Sequence, residues 1–164
     1  MKKNKCQTII KFKAKIVFDP IDKTKKHKDQ SSWKNVAICK TYDDIDLYYS
    51  WFIFKRFNLT LNRSIRGSHV TIINDKIIDK EKYDKVKKLY NGKEIEFSFN
   101  PSEIRSNGEH WWLKVYSDTS KEIRKLIGLT EDPFFPLHLT LGYSNEKNKA
   151  HSEYILRQIL KYNL

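Results

Sequence analysis

Two short stretches decide how this chain is read: GSHVTII at residues 67–73 and PLHLTLGY at residues 136–143. Each sets a His-x-Thr triplet inside an apolar alternation of strand period. Residues two apart on a strand share a face at about 6.5 Å. His69 therefore stands beside Thr71 and His138 beside Thr140, while Val70, Ile72, Leu139 and Leu141 point the other way, toward a core. One such triplet is an ordinary strand histidine; two, with the same apolar flanks, offer an imidazole and a hydroxyl twice over to one surface.

Outward from these stretches, the pattern predicts further strands at residues 8–18, where Lys alternates with Ile, Phe and Ala, at 33–39, and at 93–100 and 110–117. A Pro- and Gly-bearing loop over 100–109 separates the last two. Residues 45–57, apolar almost all round after Asp43 and Asp44, predict a largely buried helix. A second helix spans 79–90 and stops at Asn91-Gly92; a third is started by a Thr119/Glu122 capping box and ended by Gly128; a last one covers 145–162. Helix, loop, His-bearing strand and helix follow one another twice. The succession predicts one domain over residues 1–164, of α/β (α+β) class: a pseudo-twofold arrangement of antiparallel sheets lining a central cleft, with helices packed outside.

Composition narrows the setting. A chain of 164 residues, 39% hydrophobic, suits one core, and no apolar run nears the roughly 20 residues of a membrane span. The start, MKKNKCQT, lacks the apolar stretch of a secretory signal, and Cys6 and Cys39 have neither disulfide nor metal-ligand spacing. The expectation is a soluble cytoplasmic protein with reduced thiols and no membrane partner. Net charge is +12, with 12 Lys plus Arg against 3 Asp in the first 40 residues. Such a concentration attracts phosphate-bearing partners. Its densest part, KTKKHKDQSS at 23–32, reads as an exposed loop, either a phosphate-attracting flap or a solvated surface.

Paired imidazoles suit phosphodiester cleavage, which needs a base for the nucleophile and an acid for the leaving oxygen. Imidazole serves both near neutral pH, and Thr71 and Thr140 would donate hydrogen bonds to the phosphate oxygens. The scheme requires no metal or other cofactor, and the sequence has no H-x-H, H-E-x-x-H or clustered-carboxylate pattern.

The paired H-x-T strands of a small α/β chain resemble the two-histidine (2H) phosphoesterase superfamily, which includes RNA 2′,5′ ligases, cyclic phosphodiesterases and RNA-processing phosphodiesterases. The likeness covers the motifs and element order from about Ile45 onward. Within it, WFIFKRFN ahead of IRGSHVTI, the HWWLKV strand and the ending FFPLHLTLGY most resemble phage anti-CBASS phosphodiesterases, which degrade the cyclic di- and trinucleotide alarms of bacterial defence. The resemblance implies a catalytic pair, His69 and His138, with Thr71 and Thr140 on the phosphate. It also implies a metal-independent enzyme acting on a cyclic oligonucleotide in an infected bacterial cell. The same residues would serve an enzyme of RNA ends or 2′,3′-cyclic phosphates. A basic nucleic-acid-binding protein without catalysis is the rival of another class.

Further substrate contacts are drawn from aromatic and guanidinium groups. Trp111 and Trp112 face opposite sides of their strand, so one packs and the other is placed to stack on a base. Tyr42 and Trp33 are candidates of the same kind, with core packing as the other use. Arg66, with Arg63, precedes the first motif, where its fork would meet a phosphate; Lys114 shares the parity of Trp112. Tyr143 shares the parity of Leu139 and Leu141 and is expected in the core.

Overall fold

The structure, a computed structural model, describes residues 8–21, 33–42, 44–64, 67–144 and 149–162. Cys6, the basic stretch 23–32 and the candidate Arg66 lie outside the described residues. The elements, in order, are β1 (Ile10–Phe18), β2 (Ala37–Thr41), α1 (Ile45–Phe57), β3 (His69–Ile73), α2 (Lys80–Tyr90), β4 (Glu94–Ser106), β5 (His110–Tyr116), α3 (Asp118–Ile127), β6 (His138–Tyr143) and α4 (Lys149–Tyr162). The chain thus combines four helices with six strands, all paired antiparallel, in the α+β manner expected.

The sheet corrects the expectation of separate sheets. It is one closed ring in the order β1-β2-β3-β6-β5-β4, with β1 pairing β4 from Ile10↔Phe99 to Lys15↔Glu94. At the opposite side β3 meets β6 at a single register pair, Val70↔Leu139. Strand alternation sends Phe12, Ala14, Ile16, Val70, Phe97, Leu113 and Leu139 into one core, which the helices join through Tyr49, Ile53, Tyr83, Val86, Ile123, Ile127, Ile155 and Ile159. The helices therefore cover the apolar face, and the polar face is turned away from them. Among the described residues no helix is long and apolar enough to cross a membrane.

Three local readings change. First, β4 does not stop at Asn100 but runs on through Pro101. From Phe99 to Ile104 it advances five residues while β5 advances two, so the proline sits in a bulge where no ladder N–H is needed. Buried Asn100 closes that bulge by accepting from the Ser102 N–H at 2.9 Å and its hydroxyl at 2.7 Å. Second, Trp33 lies in a turn before β2 rather than on a strand. Third, α1 is not largely buried: Tyr49 and Ile53 enter the core, while Leu47, Tyr48, Trp51 and Phe54 are exposed. In addition α3 is capped by Ser117, whose hydroxyl accepts from the Ser120 N–H at 3.3 Å, two residues ahead of the expected cap. Gly128 ends it in the left-handed region, as its position predicted.

Candidate functional site

The β3–β6 register builds the site. Extending the Val70↔Leu139 pair by one residue each way sets His69 across from Thr140 and Thr71 across from His138. Directly opposed residues share a face, and diagonal neighbours lie about 7 to 8 Å apart. Val70 and Leu139 are wholly buried on the apolar side. The two histidines and two threonines are thus brought together on the polar face as a crossed quartet, His beside Thr along each strand and across the seam.

Both rings are held alike. His69 Nδ1 lies 2.9 Å from the Gly67 carbonyl and His138 Nδ1 lies 2.9 Å from the Pro136 carbonyl, each two residues back. A carbonyl oxygen only accepts, so in the neutral ring Nδ1 carries the proton and Nε2 the lone pair. Each ring also meets a tryptophan edge-on: Trp33 at 6.4 Å from His69 and Trp112 at 6.3 Å from His138, centroid to centroid. The adjacent strands repeat the symmetry, since β2 places Lys40 opposite His69 and β5 places Lys114 opposite His138.

The surroundings differ. His69 is 8% exposed, whereas His138 is half-exposed and lines a cleft of about 530 Å³. That volume falls within the usual range for small-ligand sites. Thr140, Trp112, Lys114, Arg105 and Phe135 are among its other walls; His69 and Thr71 are not. Trp111 and Trp112 face opposite sides as expected: Trp111 is fully buried in the core, and Trp112 turns its half-exposed indole to the cleft. Tyr42 is exposed, two residues beyond Lys40, and its hydroxyl lies beside Glu94, which pushes its pKa up. Tyr143 is half-buried rather than core. A register shift at Trp111/Trp112 and Gly142 at φ 156° break the alternation, leaving its ring 6.4 Å from His110.

The seam is braced from behind. Arg124 of α3, fully buried, donates from Nη1 to the Ile72 carbonyl at 2.9 Å and forks onto Asp75 at 2.8 and 3.0 Å, fixing the end of β3. After α1, Arg63 takes the corresponding role: it binds buried Asp46 at 2.6 Å, and the preceding residue, Asn62, exchanges backbone hydrogen bonds with Tyr143 of β6. Arg63 is thereby engaged in structure rather than in the cleft. Cys39 is buried, free, and its thiol pKa is pushed up by desolvation, so it stands apart from the chemistry.

Sequence reasoning missed Lys40, Arg105, Glu103 and Phe135. Lys40 lies one residue past the strand predicted at 33–39, and the other three depend on the β4 bulge and on the loop before β6. Among the described residues no three His, Cys, Asp or Glu side chains gather as a metal site would require. Chemically, the quartet sets two imidazoles and two hydroxyls on one face of the β3–β6 seam. In comparisons with known proteins the chain matches no family model, no curated protein and no solved structure.

Proposed function

We propose that this protein is a metal-independent phosphodiesterase of the two-histidine kind, which cleaves the 3′,5′ linkages of cyclic di- and trinucleotides and so silences a CBASS alarm in a phage-infected bacterial cytoplasm. The observation that carries the reading is the crossed quartet with its two matched Nδ1–carbonyl contacts. The repeated element order supports it. The chain order is ββαβα twice, and the ring order is unchanged when β1, β2 and β3 exchange with β4, β5 and β6. The resemblance of the two H-x-T strands to the 2H phosphoesterases adds the substrate class.

A phosphodiester seated over the seam lies between His69 and His138. One Nε2 accepts the proton of the ribose 2′-hydroxyl, or of a water, as that oxygen attacks phosphorus. The other imidazole, entering protonated, gives its proton to the 5′ oxygen as the P–O5′ bond breaks. Attack by the 2′-hydroxyl leaves a 2′,3′-cyclic phosphate and a 5′-hydroxyl; attack by water leaves a 3′-phosphate. Thr71 and Thr140 hydrogen-bond the nonbridging oxygens, whose charge shifts in the transition state. Trp112 stacks on a base of the substrate in the cleft, a contact tolerant of base identity.

The test is chromatography of cyclic di- and trinucleotides, and of an RNA bearing a 2′,3′-cyclic phosphate, after incubation with the protein and a chelator. The expected result is linearised cyclic oligonucleotide, abolished in H69A and H138A. Turnover of the RNA end alone would move the protein to RNA processing. Salt-sensitive binding to long RNA without turnover of any of them would make it a noncatalytic binder. Substrates with a 2′-deoxyribose at the scissile position separate the nucleophiles, because persistent cleavage excludes ribose attack.

A further inference from the structure

Beyond the H-x-T strands, a second duplicated pattern lies on the polar face. Lys40-Thr41-Tyr42, at and just past the end of β2, and Lys114-Val115-Tyr116 on β5 are both K-x-Y, and the ladder sets Lys40 opposite His69 and Lys114 opposite His138. Each tyrosine is joined to a glutamate of β4: the Tyr116 hydroxyl bonds Glu103 at 2.8 and 2.9 Å, and the Tyr42 hydroxyl lies beside Glu94. Each carboxylate is thus engaged by a phenol, and on β5 Lys114 lies by the same Tyr116 hydroxyl and feels the Glu103 charge from beyond salt-bridge distance. Neither Lys40 nor Lys114 has a carboxylate at salt-bridge distance among the described residues, whereas Lys11, Lys80, Lys85 and Lys125 do. Lys114 Nζ rests over the Tyr116 ring, 5.0 Å from its centroid, with its stem in the cleft wall.

Opposed ladder positions are about 4.5 to 5.5 Å apart at Cβ, so each lysine is rooted one strand further out from the seam than its histidine. We infer that Lys40 and Lys114 are paired phosphate-binding residues that hold the phosphates on either side of the scissile one, so that the preferred substrate is a cyclic trinucleotide or longer oligonucleotide. The reasoning is geometric. A phosphodiester between His69 and His138 sends its two arms outward over β2 and β5, and the next phosphate on each arm meets a lysine. A cyclic dinucleotide, with one other phosphate, engages one lysine at a time, and a nucleoside 2′,3′-cyclic monophosphate engages neither. Lysine suits this task as a point cation on a long stem that follows a flexible backbone.

The inference rests on the phosphodiesterase reading, and binding separates the two. In the H138A background, which leaves substrate intact, titration calorimetry measures the Kd of a cyclic trinucleotide, a cyclic dinucleotide and a nucleoside 2′,3′-cyclic monophosphate, with and without Lys40→Gln and Lys114→Gln. The expected result is a Kd for the cyclic trinucleotide raised about tenfold by each substitution, and by more when both are present. The dinucleotide should be affected less and the monophosphate unchanged. A trinucleotide Kd insensitive to either lysine, or an equal effect on all three ligands, overturns the inference while leaving the phosphodiesterase reading standing. Failure of all three ligands to bind the H138A protein, together with no turnover by the wild type, overturns both.

Discussion

The strands β3 and β6 carry the same triplet and hold their histidines in the same way, yet one ring is enclosed and the other opens on a cleft. His69 is 8% exposed, backed by the Arg124 fork at the end of its strand, while His138 looks onto the space bounded by Trp112, Lys114 and Arg105. The shared part is what a short stretch determines by itself: alternation puts His and Thr on one face, and a carbonyl two residues back orients the ring. The unshared part comes from distant chain. The cleft beside His138 exists because β4 continues past its bulge and brings Glu103 and Arg105 alongside β5. A duplicated motif thus stands in two unequal settings, one ring enclosed and the other open to a cleft.

Four sets of substitutions probe that comparison, in order of decreasing effect. Removing Asp75 leaves the fully buried Arg124 guanidinium without its carboxylate, so D75A should destabilise the fold by about 3 to 5 kcal/mol, read by chemical denaturation. If the loss falls below about 1 kcal/mol, the brace behind β3 is not what holds the His69 strand. Replacing either histidine by alanine should lower turnover at least about a hundredfold. The H138A protein should keep its melting temperature, because that ring is half-exposed; an effect confined to one histidine would break the equivalence of the two strands. Next come T71V and T140V, each expected to slow turnover about tenfold through loss of a charge-assisted hydrogen bond. A large gap between them would show that only one strand touches the phosphate. Finally, W112A should weaken substrate binding by about 1 kcal/mol with little change in kcat, the signature of a stacked base. Its counterpart beside the enclosed ring, W33A, is the control that shows whether stacking belongs to the open side alone.

Much of the fold was legible in local pattern. Strands β1, β3, β5 and β6 follow from period two, and α2 and α3 follow from their spacing and from Asn91-Gly92 and Gly128. What escaped depends on long-range pairing. Pro101 reads as a strand breaker until a bulge relieves it of its ladder bond, and no local signal shows that β1 and β4 close the ring. The apolar run of α1 reads as a buried helix because hydrophobic character does not distinguish a core face from an exposed one; Trp51 and Phe54 remain at the surface. In the site, the four residues of the quartet were legible from the motifs alone. Their crossing, and the lysines opposite the histidines, required the register. Gly142 illustrates the same limit: a Cβ there would meet the Asn62 carbonyl at 2.8 Å, a restriction set by a segment 80 residues away.

The most direct test of the account is whether His69 and His138 divide acid and base duties on one phosphate. The measurement is single-turnover cleavage of a substrate whose scissile 5′ oxygen is replaced by sulfur, a leaving group that needs no proton, by the wild type, H69A and H138A. The account predicts that one variant, the one lacking the acid, recovers to within about tenfold of the wild type while the other stays at least about a hundredfold slower. Equal impairment of both variants on the sulfur substrate, or full activity in both, would contradict it.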